Sequence, residues 1–343
     1  MSELNTPQPD TTSVTTNTRP ALLALDWGTS SLRAFLLDAT GQVLDTRASA
    51  HGIQNLPQPG EAGFRQAFAD IASGWLDAHP GLPAVAGGMV GSAQGWREAP
   101  YVSCPADLQT LAAHAAQVDT GRPGTTLLIA PGLIHRPVGA APDVLRGEEI
   151  QIAGALAHHP EWSAHACMVL PGTHSKWVEV RGGSVQRFVT HMTGELFAAL
   201  ARHTILGRLF PEAPASAAEA RQGFELGVAA ARKAGPGDLG HQLFAVRTLG
   251  LTKQLPPGAL PEYLSGLLIG HELVSGIGRL GGTGTATPLL LIGDPKLCQR
   301  YVQALTLLNR PPAAVLDNTA PAGLLDFARA AGLLRATPEE SPT

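Results

Sequence analysis

One pattern, written twice, limits what this chain can fold into. Residues 21–28, ALLALDWG, form an apolar run that delivers Asp26 and then Gly28; Thr29, Ser30 and Ser31 follow, and SLRAFLLD is a second apolar run. From Cys167 the same programme restarts: CMVLPGTHS ends in a Gly172-Thr173 bend, KWVEV leads to a Gly182-Gly183 turn, and SVQRFVTHMT returns. An apolar run without alternation marks a strand covered on both faces, and the glycines mark where it turns. A helix follows each hairpin. In the first copy it spans about residues 61–78, where Phe64, Ala67, Phe68, Ile71, Trp75 and Leu76 recur at helical spacing; in the second it is GELFAALARHTIL.

The turn Ala39-Thr40-Gly41 precedes a third strand, QVLDTRASAH, and the short runs PAVAGGMV and TTLLIAPG are further buried strands. Strands alternating with helices indicate an α/β chain with mixed sheets, and the repeat indicates two like domains facing each other across a cleft. At 343 residues the chain suits two domains of roughly 150 residues. The expected division is a disordered tail over 1–19, a first domain over 20–160, a second over 161–335 and a frayed end over 336–343, with the break where AHHPEWSAH interrupts a helical run. The last third carries helices around 264–276 and 297–308, a GGTGTATP loop and a buried strand in LLLIGDP.

Composition excludes several classes of partner. The formal net charge is −4 and the basic residues are scattered, which argues against nucleic acid or an acidic membrane surface. Cys104, Cys167 and Cys298 form no CxxC pair and read as inert thiols of a reducing compartment. The first nineteen residues lack the charged and apolar regions of a signal peptide. YLSGLLIGHELVSGIG is broken by His271 and Glu272, so it is no membrane span. A cytoplasmic protein is expected.

The two Gly-Thr bends carry the chemistry. A phosphate chain needs unobstructed backbone N–H groups and hydroxyl donors, which glycine, threonine and serine supply. The same residues are ordinary turn formers; their pairing, with a carboxylate on only one bend, favours phosphate. Two facing bends would grip one polyphosphate, and Asp26 would hold Mg²⁺ through water. Familiar nucleotide loops are absent: there is no G-x-x-x-x-G-K-[ST], and GGTGTATP lacks the third glycine of G-x-G-x-x-G and precedes a strand.

LDWGTSSLR resembles the first phosphate motif of the superfamily of sugar kinases, heat-shock ATPases and actin. GMVGSAQGW, APYVSCPA, LRGEEIQIAGA, LPGTHSKWV, MTGEL and YLSGLLIG together resemble the 2-dehydro-3-deoxygalactonokinase family, over about residues 20–335. The resemblance implies two ribonuclease H-like, actin-like ATPase domains around a central nucleotide cleft. It also implies ATP and Mg²⁺ as cofactors, and phosphorylation of the 6-hydroxyl of 2-dehydro-3-deoxygalactonate in galactonate breakdown. Related carbohydrate kinases open a helix with Gly-Asp just before the second bend and take their base from it. Gly147-Glu148 stands in that order, so Glu148 is the expected base, with Glu149 as second and Asp26 as third candidate.

The nucleotide phosphates are expected at Asp26, Gly28, Thr29, Ser30, Gly172, Thr173, His174, Ser175 and Lys176, and adenosine near Gly293 of LIGDP, where Asp294-Pro295-Lys296 departs from the superfamily pattern. A sugar acid needs a cation for its carboxylate: Arg146 first, then Arg33 and Arg97, because a planar guanidinium can hold a carboxylate by two hydrogen bonds. Ser92 and Trp96, in the glycine-rich MVGSAQGWRE loop, are candidates for the sugar pocket; Trp96 is equally suited to a core. A homodimer is compatible with this reading. A kinase for another sugar or sugar acid, and a nucleotide-dependent assembly protein on the same fold, are the rival functions.

Overall fold

The computed structural model describes residues 19–235, 237–280 and 287–334; the expected tails, apart from residue 19, and most of the GGTGTATP loop lie outside them. In chain order the first half contains β1 (Pro20–Trp27), β2 (Leu32–Asp38), β3 (Val43–Ser49), α1 (Gly60–Ala78), β4 (Ala84–Gly87), β5 (Tyr101–Ser103) and α2 (Leu108–Ala113). It continues with β6 (Ala116–Asp119), β7 (Thr126–Ile129), β8 (Gly132–His135), β9 (Asp143–Leu145) and α3 (Glu148–His158). The second half contains β10 (His165–Leu170), β11 (Ser175–Arg181), β12 (Ser184–His191), α4 (Thr193–His203), α5 (Ala217–Arg232), α6 (Leu239–Leu243) and α7 (Ala245–Leu251). It closes with α8 (Ala259–Leu280), β13 (Leu289–Ile292), α9 (Pro295–Leu307), β14 (Ala314–Leu316) and α10 (Ala320–Ala330).

The repeat is a repeat of topology. The first sheet has the order β3-β2-β1-β4-β7-β6 and the second β12-β11-β10-β13-β14. In each, three antiparallel strands form a meander, and the first of them pairs in parallel with a later strand, which pairs in parallel with another. This twice-used order is that of two actin-like, ribonuclease H-like domains. A separate three-stranded sheet, β5-β8-β9, is an addition that the apolar runs did not announce.

The central strands are apolar throughout because both faces are covered. Along β1, Leu22 and Ala24 enter one core while Leu23, Leu25 and Trp27 enter another. Along β10, Met168 and Leu170 join the core of Leu22, whereas Cys167 and Val169 face Phe224, Leu273 and Tyr301. The shared layer also holds Ile150 and Ile152 of α3 and Leu324 and Phe327 of α10, so these two helices lie between the sheets. The last helix among the described residues thus packs into the core of the first strand.

Local chemistry fixes two helix starts. Asp294 caps α9 by accepting from the Leu297 amide, and Pro295 occupies its first turn. Ser216 and Glu219 form a capping box on α5. No described helix is long and apolar enough to cross a membrane.

Candidate active site

The carboxyl ends of β1, β4, β10 and β13 converge on one cleft, the usual ligand position in a sheet built from parallel neighbours. Asp26, Gly28 and Thr29 follow from β1, Gly88 and Met89 from β4, Pro171, Gly172, Thr173 and His174 from β10, and Gly293 and Asp294 from β13. Arg146, Gly147, Glu148 and Gln151 complete a cleft of about 420 Å³. Beyond the second bend lies a deeper pocket of about 560 Å³, lined by Phe197, Leu268, Ile269, Arg300 and Tyr301, which shares Pro171, Gly172, Thr173 and Asp294 with the cleft. Both volumes fall within the range of small-molecule sites, about 300–1,000 Å³.

Each bend is held from behind. At the first, the Gly28 amide donates to the Ser31 carbonyl (2.9 Å), and the Ile53 and Gln54 amides donate to the Gly28 and Thr29 carbonyls. At the second, the Gly172 amide donates to Ser175 Oγ (3.3 Å), the Glu195 amide donates to the Thr173 carbonyl, and His174 Nε2 pairs with the Glu195 carboxylate.

The start of α3 delivers the carboxylate. Gly147 has φ +106°, and a Cβ there would lie 3.3 Å from Gly88 Cα, itself at φ +96°; two glycines let the helix start and the end of β4 meet. Glu148 is half-buried, lines the cleft and accepts the Arg146 amide at 2.9 Å. Burial pushes its carboxyl above the ordinary value, opposed by the nearby Lys176 charge. Glu149 points elsewhere: 2% exposed, it accepts the Gly147 amide at 2.7 Å and lines a separate crevice against α2. Burial, and then the Glu148 charge, push its carboxyl up to about 8.

That shift has a sign. A buried acid whose folded value lies above its unfolded 4.5 favours the fold while neutral, and this stability is lost as pH rises from 4.5 through about 8. Glu149→Gln is therefore expected to match the parent in thermal midpoint near about pH 5 and to exceed it by several degrees near about pH 9. Thermal denaturation at the two pH values checks this.

Arg146 is 9% exposed; its Nη2 donates to the Ala99 carbonyl at 2.9 Å, and its guanidinium stacks 4.3 Å from the Tyr101 ring centre. Nε and Nη1 are buried without a protein partner, and no carboxylate pairs with it among the described residues. A buried, unneutralised cation is costly, so this wall of the cleft suits an anion.

Other expected residues lie elsewhere. Arg33 is ion-paired with Asp26 at 2.5 Å. Ser30 is exposed on the first hairpin but does not line the cleft, and Arg97 is exposed outside it. Trp96 is a core residue, stacked on Phe64 (6.0 Å) and edge-on to Trp27 (5.9 Å) and Phe68 (5.9 Å). Its indole nitrogen and Ser92 Oγ are buried without partners. Ser175 is fully buried beneath its bend, 3.0 Å from the Tyr301 hydroxyl. Lys176 turns from the cleft and donates to the Val144 carbonyl (3.1 Å) and Thr190 Oγ1 (2.8 Å). The alternation of β11 explains the last two: neighbours on a strand face opposite sides.

Sequence reasoning missed Gly88, Met89, Gln151 and Asp294 in the cleft wall. Gln151 was findable, because it lies three residues after Glu148 on the same helix face.

The chain matches the family model described as 2-keto-3-deoxy-galactonokinase over residues 26–327. It is 34% identical over 293 residues to "2-dehydro-3-deoxygalactonokinase" of Escherichia coli (strain K12), covering 85% of this chain and 92% of that one. It is 39% identical over 286 residues to "Probable 2-dehydro-3-deoxygalactonokinase DgoK1" of Rhizobium meliloti (strain 1021), covering 82% and 88%. A solved structure from Sinorhizobium meliloti, described as a candidate 2-dehydro-3-deoxygalactonokinase, superposes with a TM-score of 0.78 at 36% identity, covering 90% of this chain and 98% of that one. With the family model spanning both bends, the start of α3 and most of α10, this chain belongs to the 2-keto-3-deoxy-galactonokinase family.

Proposed function

We propose that the chain transfers the γ-phosphoryl group of ATP to the 6-hydroxyl of 2-dehydro-3-deoxy-D-galactonate, in the cytoplasm, as a step of galactonate breakdown. The carrying observation is that Glu148 and the Arg146 cation, which no carboxylate pairs with among the described residues, line one cleft with the second Gly-Thr bend. ATP lies across the cleft, its phosphates between the bends at Gly28 and Gly172 and its adenosine in the deeper pocket behind Thr173. The sugar acid places its carboxylate at Arg146. Glu148 orients the attacking hydroxyl and takes its proton as the new O–P bond forms and the bond to ADP breaks. Closure of the lobes, drawn at 20–160 and 161–335 with α10 packed on the first, excludes water that would hydrolyse ATP.

Asp26 is the proposed holder of Mg²⁺. No group of three metal-ligating side chains occurs among the described residues; Asp26 lines the cleft with one oxygen held by Arg33, and a single part-exposed carboxylate suits an ion that keeps most of its water shell. When bound, the ion would neutralise phosphate charge. Asp26→Asn is expected to lower kcat about 10²-fold and raise the Mg²⁺ concentration needed for half-maximal rate; an unchanged Mg²⁺ titration would contradict the role. The reading as a whole is tested by ADP release with ATP, Mg²⁺ and a panel of 2-keto-3-deoxy sugar acids. Turnover of none of them would overturn the substrate.

A further inference from the structure

Beneath the second bend lies a buried polar network that the proposed mechanism does not use. Glu272 of α8 is 2% exposed in an otherwise apolar helix face. Its Oε1 accepts Trp177 Nε1–H (2.9 Å) and its Oε2 accepts the Tyr301 hydroxyl (2.6 Å). Two donors meet the carboxyl, which burial raises above its ordinary range. They come from β11 and α9, so one side chain ties α8 to two elements that border the bend and the deeper pocket.

The Trp177 N–H and the Tyr301 O–H both donate to Glu272, and this gives the network a direction. Tyr301 sends its hydrogen to Glu272. Ser175 Oγ lies 3.0 Å from the Tyr301 oxygen and 3.5 Å from the Gly172 carbonyl, and the shorter contact takes its hydrogen inward to Tyr301. The lone pairs of Ser175 Oγ are then free to receive the Gly172 amide at 3.3 Å. That contact ties down the first residue of the bend, while Thr173 and His174 line the cleft. The start of α4 closes on the same bend: a Cβ at Gly194 would stand 2.6 Å from the Gly172 carbonyl.

We infer that Glu272 is a positioning residue for the phosphoryl donor: acting through Tyr301 and Ser175, it holds the Gly172–Ser175 bend in the shape that receives the nucleotide phosphates. The inference rests on the reading of that bend as a phosphate site. Glutamine at 272 has the same shape but presents an N–H₂ where a donor already points. The Ser175 hydrogen then turns toward the Gly172 carbonyl, and the amide contact loosens.

The test uses the full chain with ATP and 2-dehydro-3-deoxygalactonate. Glu272→Gln is expected to raise KM for ATP about tenfold, with KM for the sugar acid at saturating ATP held within about twofold. Tyr301→Phe and Ser175→Ala are expected to move the same constant in the same direction, and they decide the matter if Glu272→Gln does not fold. The indole N–H resonance of Trp177, assigned by its loss in Trp177→Phe, is expected to shift when ADP is added to the parent and not when the sugar acid is. Folded variants with an unchanged KM for ATP, or a rise in both KM values together with a lowered thermal midpoint, would overturn the inference. Gly172→Asp separates this failure from that of the underlying reading. A Cβ at Gly172 meets nothing within 4 Å, so the change fits the fold while placing a negative charge at the bend. If it leaves KM for ATP unchanged, the bend is no phosphate site.

Discussion

Glu148→Ala is expected to lower kcat by about 10³-fold while leaving KM for ATP near its parent value, because the side chain takes a proton from the acceptor and makes no contact with the nucleotide in the proposed mechanism. Steady-state rates with each substrate varied in turn provide the check, and a parent-like kcat would remove Glu148 from the role of base. Its environment adds a second readout. Burial raises its carboxyl above 4.5, so in the parent kcat/KM for the sugar acid should fall as pH drops through a value above the ordinary carboxylate range. A carboxylate raised by burial is a better proton acceptor than an exposed one, and the Lys176 charge opposes the rise.

Arg146→Gln is the other change of large effect. Its guanidinium is fixed by the Ala99 carbonyl and the Tyr101 ring before any ligand arrives, so the parent incurs little ordering cost on binding an anion. Removing the charge should raise KM for the sugar acid by about 10²-fold or more, the scale of a truncated buried charge pair. KM for ATP should hold. An amide of the same sugar acid, with no negative charge, should discriminate further: the parent prefers the acid strongly and the variant does not. If KM for ATP rises instead, Arg146 serves a phosphate rather than a carboxylate.

How far the sequence could be read depended on whether a residue's role is set locally. The bends at Gly28 and Gly172 were legible because each ends an apolar strand at glycine, and the order of the strands brought them to one cleft. Glu148 and Glu149 could not be separated by spacing alone. Consecutive helical residues point about 100° apart, and which of them meets the cleft is decided by how Ile150 and Ile152 bury themselves between the sheets. The same limit applied at Ser175 and Lys176, whose faces are set by what β11 packs against. Trp96 read equally well as pocket or core, and the ring of Phe64 decided for the core. Glu272 read only as a break in an apolar run, since its two donors come from residues 95 positions before it and 29 after it.

The position of α10 has a consequence for how the protein is made. Leu324, Leu325, Phe327 and Ala328 belong to the same core as Leu22, Ala24 and Val85. Ribosomes emit the chain from its amino end, and domains ordinarily fold as they appear. α3 reaches this core early, but the part that α10 covers stays open until residues 320–330 have been made. Release of α10 is then the event that completes the core, and chains stalled or cut before residue 320 would carry a sticky, unfinished core into solution.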